Sequence, residues 1–477
     1  MLQEKKPSLI KNSVINVIRY LLKILLPMVT FPYVIHVLLP ENYGKVVFCY
    51  SVTGYFLLLA GLGINEYAIR EGAAFRNKRE DMGRFSSQVF TIGLMSTALS
   101  YILLLVLLMM GFVERDYKII LAIQSLSILL TTLGIEWLYT IYEDFTYITV
   151  RSFIVQVISI ICIFLFVKDE GDYFIYAVIT TCSAGLGCLI NFIHSRKYAD
   201  IKITRRPDLK AHLKPILILF CNAALISVYL YSDKIILGVL MGDEAVGIYE
   251  VSVKIYMMIK GALNAMVLVM MPRLSAYLRE GKTGEYRSLA GRTLNSQIVI
   301  LFPAVTGLFM ISGNVIRIFG GEEYIQATGS LQILSIALIF AVIANLYVYV
   351  LMITQRMDKK ILYATVFSSL LNLVLNFILI PFFGINAAAF TTLLAELSVA
   401  VIGICSCRKK VPLKITGRNL WVTLAGCICI VIVCVLISCF KLSLIYDTIL
   451  KVITSVAVYA LLTVLFNREI LSSLRRG

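Results

Sequence analysis

The sequence has few charged residues, and it has apolar runs where a soluble protein would have polar surface. Only 15% of the 477 residues are Asp, Glu, Lys or Arg, whereas 59% are hydrophobic and the mean hydropathy is +0.88. A soluble domain carries about 25% charged residues. The apolar runs here are roughly 20 residues long, which is the length that crosses a bilayer as a helix. The scarcity of charge therefore excludes a soluble chain and indicates an all-α integral membrane protein.

The sequence also has no polar segment long enough to fold as a separate soluble domain. The polar stretches between the apolar runs reach only about twenty residues, well below the size of a domain. "GKT" at 281–283 suggests a phosphate-binding loop, but that motif requires a glycine five residues earlier, where Ala276 stands. We therefore expect no enzyme and no nucleotide-driven pump. Any transport would use an ion gradient, the membrane potential or the concentration of the substrate.

Histidine is rare, and the cysteines show no ligand spacing. The three histidines stand far apart, and the eleven cysteines lie mostly inside apolar runs, without a Cys-x-x-Cys pair. Cysteines in such runs usually act as small apolar packing residues. We therefore predict no metal site, no cofactor and no disulfide framework.

Most of the positive charge falls in alternate connections between the apolar runs. The basic connections include residues 70–84, 196–214, 273–292 and 408–418, whereas the others are short and acidic, such as "PENYG" and "GGEEY". Lys and Arg concentrate on the cytoplasmic side of membrane proteins. We therefore predict about fourteen transmembrane helices with both termini in the cytoplasm. The net charge of +16 then requires no nucleic-acid partner.

The first residues do not have the pattern of a cleaved secretory signal. The stretch from Met1 to Pro7 is charged, and the apolar run after Ser13 is longer than the apolar region of a signal peptide. We expect the first helix to be retained as a signal anchor.

A weak internal repeat relates the two halves of the chain at an offset of 203 residues. Glu41 falls on Glu244 in the acidic connections, and Arg70 falls on Arg273 in the basic ones. Each repeat would hold six helices, so the two units would keep the same orientation and be related by an axis along the membrane normal. The expected division is a six-helix lobe at 1–200, a second at 201–410, and two additional helices at 411–477.

Several charged residues interrupt the apolar runs. Buried charge costs several kcal/mol, so it usually faces a bundle interior or a wet cavity. Arg19 and Lys23 share a helix face and have no acid within one turn, so we expect them to line a cavity that accepts anions. The other candidates are Lys234 and Lys254 as cations, and Asp233, Glu250 and Glu396 as coupling or substrate acids. A second interpretation is that Glu250 and Lys254 neutralise each other and that the ammonium of Lys260 extends to the membrane interface.

The segment "EWLYTIYEDFTYITVR", residues 136–151, combines acids with aromatic residues at the end of the fourth helix. An interfacial aromatic belt explains Trp137, Tyr139, Tyr142, Phe145 and Tyr147. Glu143 and Asp144 follow in a loop, where Arg151 is a candidate partner. Glu136 is expected about two turns inside the helix. Pairing with a basic residue of a neighbouring helix and contact with a sugar hydroxyl both remain open for it.

This segment carries a resemblance to a known family. "GIEWLYTIYEDFTYITVRS" at 134–152 resembles the helix-four signature of bacterial polysaccharide-repeat-unit flippases. These are the Wzx-type members of the multidrug/oligosaccharidyl-lipid/polysaccharide (MOP) exporter superfamily. "SDKIILGVLMGDEAVGIYEVSVKI" at 232–255 resembles their junction of helices seven and eight, and "PENYG" is similar to its first-half counterpart. The resemblance covers essentially the whole chain.

The resemblance implies two parallel six-helix lobes plus two C-terminal helices around a central cavity. It implies transfer of an undecaprenyl-diphosphate-linked oligosaccharide from the cytoplasmic to the outer leaflet of the bacterial inner membrane, for capsule, O-antigen or exopolysaccharide. The basic cavity of the family would correspond here to Arg19, Lys23, Lys234 and Lys254. The implied partners are the bilayer and the polymerase and assembly proteins of the same pathway, and a monomer is expected.

Two other functions stay open at this point. A related transporter, either a peptidoglycan-precursor flippase or a drug/cation antiporter, would share the architecture. An antiporter for cationic drugs would prefer an acidic cavity, which the helix face of Arg19 and Lys23 disfavours. A membrane polysaccharide polymerase or ligase would need a sizeable outer loop, and no outer connection here exceeds roughly a dozen residues.

Overall fold

In the computed structural model the chain is helical throughout its described parts. The structure describes residues 9–111, 114–205, 207–268 and 270–466, and leaves out the side chains of residues 9–25, 27, 266 and 268. Within these ranges the elements are all helices, and no strand occurs. The all-α prediction is therefore confirmed.

The chain divides into two compact units, residues 1–238 and 239–477. The first unit contains seven helices and most of an eighth, which are α1 (Leu9–Gly61), α2 (Ile64–Gly72), α3 (Arg79–Met109), α4 (Arg115–Gly134), α5 (Glu136–Ile141), α6 (Phe145–Phe166), α7 (Tyr173–His194) and α8 (Leu209–Met241). The second unit contains α9 (Asp243–Leu268), α10 (Met271–Arg279), α11 (Thr283–Gly320), α12 (Ala327–Ala344), α13 (Asp358–Cys407), α14 (Gly417–Ser438) and α15 (Leu444–Phe466). A π-helical segment, Asn345–Met352, continues α12.

The described residues provide fourteen helical segments of membrane-spanning length, the number predicted. Eleven stretches are long and apolar enough to cross a bilayer. Two of the long helices, α1 and α13, are each interrupted by one non-helical residue and so supply two spans apiece. The remaining span is α9, whose 26 residues would extend about 39 Å as a regular helix.

The two interruptions lie at short connections between apolar runs, which are "PENYG" at 40–44, directly after Leu39, and "PFFGIN" at 381–386, which contains Gly384. Leu39 precedes Pro40, and a proline disfavours the right-handed helical conformation in the residue before it. Leu39 adopts φ 61° and ψ 166° instead. Gly384 adopts φ 55° and ψ −134°, a conformation that is readily accessible only without a side chain. A single residue is therefore enough to separate the spans within each pair.

Large apolar side chains are exposed along the helices. Ile102, Phe377 and Ile453 are each more than half exposed, and many similar side chains are exposed with them. Apolar exposure on this scale would drive association in water, but it suits helices that are surrounded by lipid. The chain is therefore a multi-pass membrane protein.

In the first unit, connections of the basic set meet at one end and connections of the acidic set meet at the other. At the basic end, the Nη2 of Arg79 donates to the carbonyl of Arg196 at 2.8 Å. At the acidic end, the Nδ2 of Asn42 in "PENYG" donates to the carbonyl of Glu170 at 3.0 Å. This is the arrangement that an alternating topology requires.

The core at the basic end of the first unit forms around α5. Trp137, Leu138 and Ile141 of this short helix are buried in one cluster with Phe85 of α3 and Ile216 of α8. Short helices rarely persist alone, because few backbone hydrogen bonds repay the ordering of the chain. Packing of its apolar face therefore fixes α5 in place, and with it the acidic residue at its start.

Candidate functional site

The chain turns sharply between α4 and α5, at the start of the segment that the sequence singled out. α4 ends at Gly134, Ile135 adopts a left-handed conformation with φ 34° and ψ 42°, and α5 begins at Glu136. A Cβ at Gly134 would lie only 2.8 Å from the Sγ of Cys188, so glycine permits this approach of α7. The prediction that Glu136 lies two turns inside a continuous helix is wrong, because the left-handed residue ends α4. Glu136 is instead the first residue of α5.

The turn borders a cavity of about 240 Å³ inside the first unit, called here the α5 cavity. Each of the first seven helices contributes to its wall. Among the described residues of the lining, Glu136 and Arg151 are charged, and Trp137 is the largest aromatic residue. The lining residues that the structure describes are Ala60, Ile64, Asn65, Val89, Phe90, Gly93, Thr131, Thr132, Gly134, Ile135, Glu136, Trp137, Arg151, Cys188 and Asn191.

Two polar side chains of the α5 cavity keep one atom without a protein partner. Arg151 donates from Nη1 to the carbonyl of Gly187 at 2.8 Å and from Nη2 to the hydroxyl of Ser152 at 3.0 Å. Asn191 is 1% exposed and donates from Nδ2 to the carbonyl of Gly134 at 3.0 Å. The Nε of Arg151 and the Oδ1 of Asn191 are buried and have no hydrogen-bond partner among the described residues. Both atoms are fully enclosed by the surrounding protein.

The aromatic side chains beside the cavity pack against one another and against the core. Trp137 and Tyr139 are 4% and 0% exposed, so the prediction that they belong to an interfacial belt is wrong. The turn at Ile135 directs α5 into the unit, which buries both rings. Tyr147 and His194 stack on each other with ring centroids 4.0 Å apart, and the ring of Tyr139 packs beside this pair at 5.0 and 5.7 Å.

The two acids after α5 are Glu143 and Asp144. Sequence analysis proposed Arg151 as their partner, but they contact other residues. Glu143 accepts from the Nη1 of Arg76 at 2.9 Å. Asp144 caps α6 by accepting from the backbone N–H of Tyr147 at 3.3 Å, and it also accepts from the hydroxyl of Tyr198 at 2.6 Å. These contacts hold the loop after α5 to its neighbours and leave Arg151 facing the cavity.

The loop also contains Tyr142, and the surroundings of this residue change the pKa of its hydroxyl. Burial raises the pKa of the Tyr142 hydroxyl, and the nearby guanidinium groups of Arg76 and Arg79 oppose that rise. The phenol therefore stays protonated at neutral pH and donates to the carbonyl of Arg76 at 3.3 Å.

Of the four predicted cavity cations, two have side chains that the structure describes, Lys234 and Lys254. Arg19 and Lys23 belong to the first part of α1, and their side chains lie outside the described residues. Lys234, on α8 in the first unit, is half-buried beside Asp233, which is 6% exposed and within electrostatic reach of the Tyr55 hydroxyl. The proposed role of these residues in binding an anion stays a prediction.

In the second unit, Glu250 and Lys254 lie on one face of α9. The Nζ of Lys254 is 3.7 Å from the Oε1 of Glu250, and the two side chains are 45% and 7% exposed. This is the geometry that the self-neutralising interpretation requires. The larger exposure of Lys254 leaves its ammonium partly accessible.

A second acid–base pair connects α9 to α13. The Nζ of Lys260 lies 2.5 Å from the Oε1 of Glu396, and the hydroxyl of Tyr256 donates to the same oxygen at 3.0 Å. The interpretation that Lys260 extends to the interface is wrong, because a buried carboxylate on another helix lies within its reach. Glu396 is thus part of a three-residue network inside the second unit.

Sequence analysis missed a buried amide cluster that joins the two halves of α13. Asn376 donates from Nδ2 to the Oδ1 of Asn372 at 3.2 Å, and the hydroxyl of Thr391 donates to the Oδ1 of Asn376 at 2.5 Å. All three residues are 0% exposed. The available signal was the i,i+4 spacing of two asparagines in the apolar run "LLNLVLNFILI".

Sequence analysis also missed a basic cavity in the second unit. It measures about 430 Å³ and is lined by Arg287, Arg292 and Lys414, with no acid among its described lining residues. Asn295 fixes its floor by donating to the carbonyl of Lys414 at 3.0 Å and accepting from the backbone N–H of Thr416 at 2.9 Å. The basic connections at 273–292 and 408–418 indicated topology, but their convergence in space was not visible in the sequence.

Comparisons of sequence identify relatives in polysaccharide and glycan biosynthesis. A family model described as polysaccharide biosynthesis protein matches residues 9–278. A putative O-antigen transporter of Escherichia coli (strain K12) is 24% identical over 383 residues, which is 78% of this chain and 90% of that protein. A probable low-salt glycan biosynthesis flippase of Haloferax volcanii is 27% identical over 169 residues, 35% of each chain.

The fold is similar to a solved structure described as the lipid II flippase MurJ in an inward-closed conformation. The TM-score is 0.75, and the match covers 97% of this chain and 100% of that one. The sequences are 17% identical. At this level of identity the likeness shows a shared fold.

Proposed function

The chain belongs to the polysaccharide biosynthesis protein family as a Wzx-type member of the MOP exporter superfamily, and from this premise we propose that it is a flippase for a lipid-linked oligosaccharide. The observation that carries the proposal is the family match over residues 9–278, together with relatives named as an O-antigen transporter and a glycan flippase. Fourteen membrane spans with only short described connections suit a protein that moves a lipid and not one that modifies a soluble substrate.

The proposal extends to the substrate and its direction. The lipid is undecaprenyl diphosphate, and the oligosaccharide repeat unit moves from the cytoplasmic to the outer leaflet of the bacterial inner membrane. The distribution of Lys and Arg supports cytoplasmic termini. In this proposal the protein acts as a monomer, makes or breaks no covalent bond, uses no cofactor, and delivers its substrate to the polymerase and assembly proteins of the same pathway.

The diphosphate group sets the main physical requirement of such a transfer. An uncompensated anion is strongly disfavoured in a low-dielectric space. The proposed compensating cations are Arg19, Lys23, Lys234 and Lys254. Each hydrogen bond to a charged group contributes about 1.5–3 kcal/mol.

The acids proposed to take part in coupling or substrate binding are Glu136, Asp233, Glu250 and Glu396. The division into lobes at 1–200 and 201–410 with a pair of helices at 411–477 is proposed as the repeat on which the transfer mechanism is built.

The proposal is tested by determining in which leaflet the lipid-linked repeat unit accumulates when this protein is absent. A strain lacking this protein should accumulate the lipid-linked repeat unit in the cytoplasmic leaflet, where a sugar-modifying reagent outside the membrane cannot reach it. Loss of a polymerase would instead leave the unit accessible in the outer leaflet. Accumulation in the outer leaflet of the deletion strain would therefore reject the flippase proposal and favour a polymerase or ligase.

A further inference from the structure

The basic cavity of the second unit lies between α11 and the segment that leads into α14. Its described lining on one side comes from α11 residues between Arg287 and Ser296, which are spaced three and four apart and so share one side of the helix. The lining on the other side comes from residues 412–414, Thr416 and Asn419. All of these residues belong to the second unit, so the cavity can be described without reference to the first.

Three cations converge in this cavity, and the described residues supply no carboxylate partner for them. The Nη2 of Arg287 donates to the carbonyl of Lys410 at 3.2 Å, and the Nη2 of Arg292 donates to the hydroxyl of Ser288 at 3.1 Å. The third cation is Lys414. A guanidinium has five N–H donors, so each arginine keeps donors for a ligand.

The sequence around the cavity is strongly basic as well. The connections at 273–292 and 408–418 each contain five Lys or Arg residues, and together they contain two Glu and no Asp. The residues after α15, 467–477, add three Arg and one Glu. Arginine is preferred for binding phosphate, because its N–H groups match the spacing of two phosphate oxygens. The cavity therefore suits a phosphate group.

Asn295 holds the two sides of the cavity together. Its Nδ2 donates to the carbonyl of Lys414 at 3.0 Å, and its Oδ1 accepts from the backbone N–H of Thr416 at 2.9 Å. The same Oδ1 accepts from the Nδ2 of Asn419 at 3.2 Å. The backbone that carries Lys414 is therefore fixed against α11 without a ligand. A site that is ordered in advance loses less entropy when its ligand binds.

The length of α14 indicates the depth of the basic cavity in the membrane. α14 has 22 residues and would extend about 33 Å as a regular helix. The hydrocarbon core of a bilayer is about 30 Å thick. Thr416 and Asn419, which line the cavity, lie at the start of this helix. We therefore expect the cavity at the boundary between hydrocarbon and head groups, where the phosphates of phospholipids lie.

Exposed apolar side chains begin directly beside the cavity. Ile415, which stands between two lining residues, is exposed, and so are Trp421 and Leu424 of α14. Tryptophan is enriched at the boundary between head groups and hydrocarbon. The acyl chains of a lipid whose phosphate occupies the cavity can therefore lie against protein surface that is already apolar.

We propose that the basic cavity binds the head group of an anionic phospholipid, in the leaflet on the side of the basic connections. Its volume of about 430 Å³ falls within the range of about 300–1,000 Å³ that is typical of small-molecule sites. Arg287, Arg292 and Lys414 donate to the phosphate oxygens. A head group that also carries an ammonium brings a positive charge close to these cations, so the site selects lipids without one. The proposal does not depend on the flippase function.

Native mass spectrometry of the full-length protein in detergent measures this binding directly, because each bound lipid adds its own mass. Phosphatidylglycerol, phosphatidylethanolamine and phosphatidylcholine with identical acyl chains are titrated separately. Each Lys or Arg near a membrane surface strengthens the attraction of an anionic lipid about fivefold. We therefore expect phosphatidylglycerol to bind about tenfold more tightly than the other two lipids, or tighter still.

Two matched double variants locate the binding. Arg292→Gln with Lys414→Gln removes two charges of the cavity and leaves the contact of Arg287 intact, so the preference for phosphatidylglycerol should fall about tenfold or more. Lys359→Gln with Lys360→Gln removes two charges from another basic connection, outside the described lining. This control should keep the preference of the parent protein. All four replaced residues are exposed, so neither variant disturbs the core.

A competition experiment distinguishes a lipid from a soluble phosphate. Inorganic phosphate and glycerol 3-phosphate at matched ionic strength should not displace phosphatidylglycerol, because they lack acyl chains that contact Ile415 and Leu424. Full displacement by either would reject a lipid site in favour of a soluble phosphate. The proposal is also overturned if the three lipids bind equally or if the cavity variant keeps its preference. Equal losses in the two double variants would overturn it too, since overall charge alone would then attract the lipid.

Discussion

Lys260 and Glu396 show how a charge inside a membrane-spanning helix depends on its partner. The carboxylate is 8% exposed and the lysine side chain 21% exposed, and the two meet between α9 and α13. When one member of a buried ion pair is removed, the other charge stays in low-dielectric surroundings without compensation. Replacing both members with apolar side chains removes that penalty.

We therefore expect Lys260→Met to destabilise the second unit by about 3–5 kcal/mol, and Lys260→Met combined with Glu396→Leu to cost much less. Thermal unfolding of the purified variants in detergent measures both effects. Arg70→Ala serves as the control, because its exposed pair with Glu71 contributes at most about 1 kcal/mol. A double variant that unfolds below either single variant would contradict this account.

Arg19 is one of the four cations proposed to compensate the charge of the diphosphate. If it compensates the diphosphate, Arg19→Ala should slow transfer roughly tenfold or more, since a hydrogen bond to a charged group is worth about 1.5–3 kcal/mol. Arg19→Lys should retain part of the rate, and Arg19→Glu should be worse than Ala because it repels the anion. The measurement is transfer of a lipid-linked oligosaccharide in vesicles with matched protein content. Wild-type transfer by Arg19→Glu would leave helix packing as the role of this residue.

Local charge pairs were predictable from the sequence, whereas distant ones were not. Glu250 and Lys254 are four residues apart, so their shared helix face follows from helical geometry alone. Lys260 and Glu396 are 136 residues apart, and their contact depends on how α9 packs against α13. For the same reason the α5 cavity, whose described lining comes from seven helices, was represented in the sequence analysis only by the segment at 136–151.

At the scale of the helix, single residues decide where α1 and α13 break. Gly384 adopts φ 55° and ψ −134°, and a Cβ added there would meet only the Cε of Met241 at 3.4 Å. Space for a methyl group therefore exists, and the obstacle to a larger residue is the backbone conformation itself. Such conformations cost of the order of 1–3 kcal/mol in residues other than glycine.

We predict that Gly384→Ala lowers the stability of the protein by about 1–3 kcal/mol. Gly307→Ala is the matched control, because Gly307 lies inside α11, and a Cβ there would meet no atom within 4 Å. Alanine at that position should be neutral or stabilising by up to about 1 kcal/mol. Melting temperatures in detergent distinguish the two variants, and equal effects would show that the left-handed conformation of Gly384 is not required.

The lengths of the apolar runs predicted the number of membrane spans, but they did not predict the break between α4 and α5. Pro40 and Gly384 mark turns by residue type, and both were located correctly within short connections. The break after Gly134 lies inside a continuous apolar run, where neither proline nor a polar cluster indicates a turn. It exists because Gly134 lets α7 approach closely and because the apolar face of α5 packs into the core.

At the scale of the whole molecule, the number of spans and the distribution of charge together define a topology. An even number of spans, such as the fourteen in the described residues, predicts that both termini lie on one side of the membrane, and the positions of Lys and Arg predict that this side is the cytoplasm. The division of the first unit into a basic and an acidic end shows that the alternation seen in the sequence is present in space. The charge rule supplies the orientation of these ends in the membrane.

We expect cysteines introduced at Glu41 and Glu322 to react with a membrane-impermeant thiol reagent from outside intact cells, and cysteines at Arg79 and Lys282 to react only after permeabilisation. All four residues are exposed in the structure. The background requires replacement of the native cysteines, because Cys221, Cys405 and Cys439 are exposed as well. Labelling of Arg79→Cys in intact cells, with Glu41→Cys protected, would reverse the topology.

The long sequence separation between Lys260 and Glu396 imposes an order on the synthesis of the protein. The ribosome adds about 5–20 residues per second. Roughly ten seconds therefore pass between the synthesis of Lys260 and that of Glu396, which is 136 residues later. During that interval the ring of Tyr256, made one helical turn earlier, offers the ammonium a neighbour 5.3 Å away. A helix with an unpaired lysine is held less firmly in a bilayer. The ion pair that stabilises α9 in the bilayer therefore forms only late in translation, and a nascent chain that ends before Glu396 carries α9 without it.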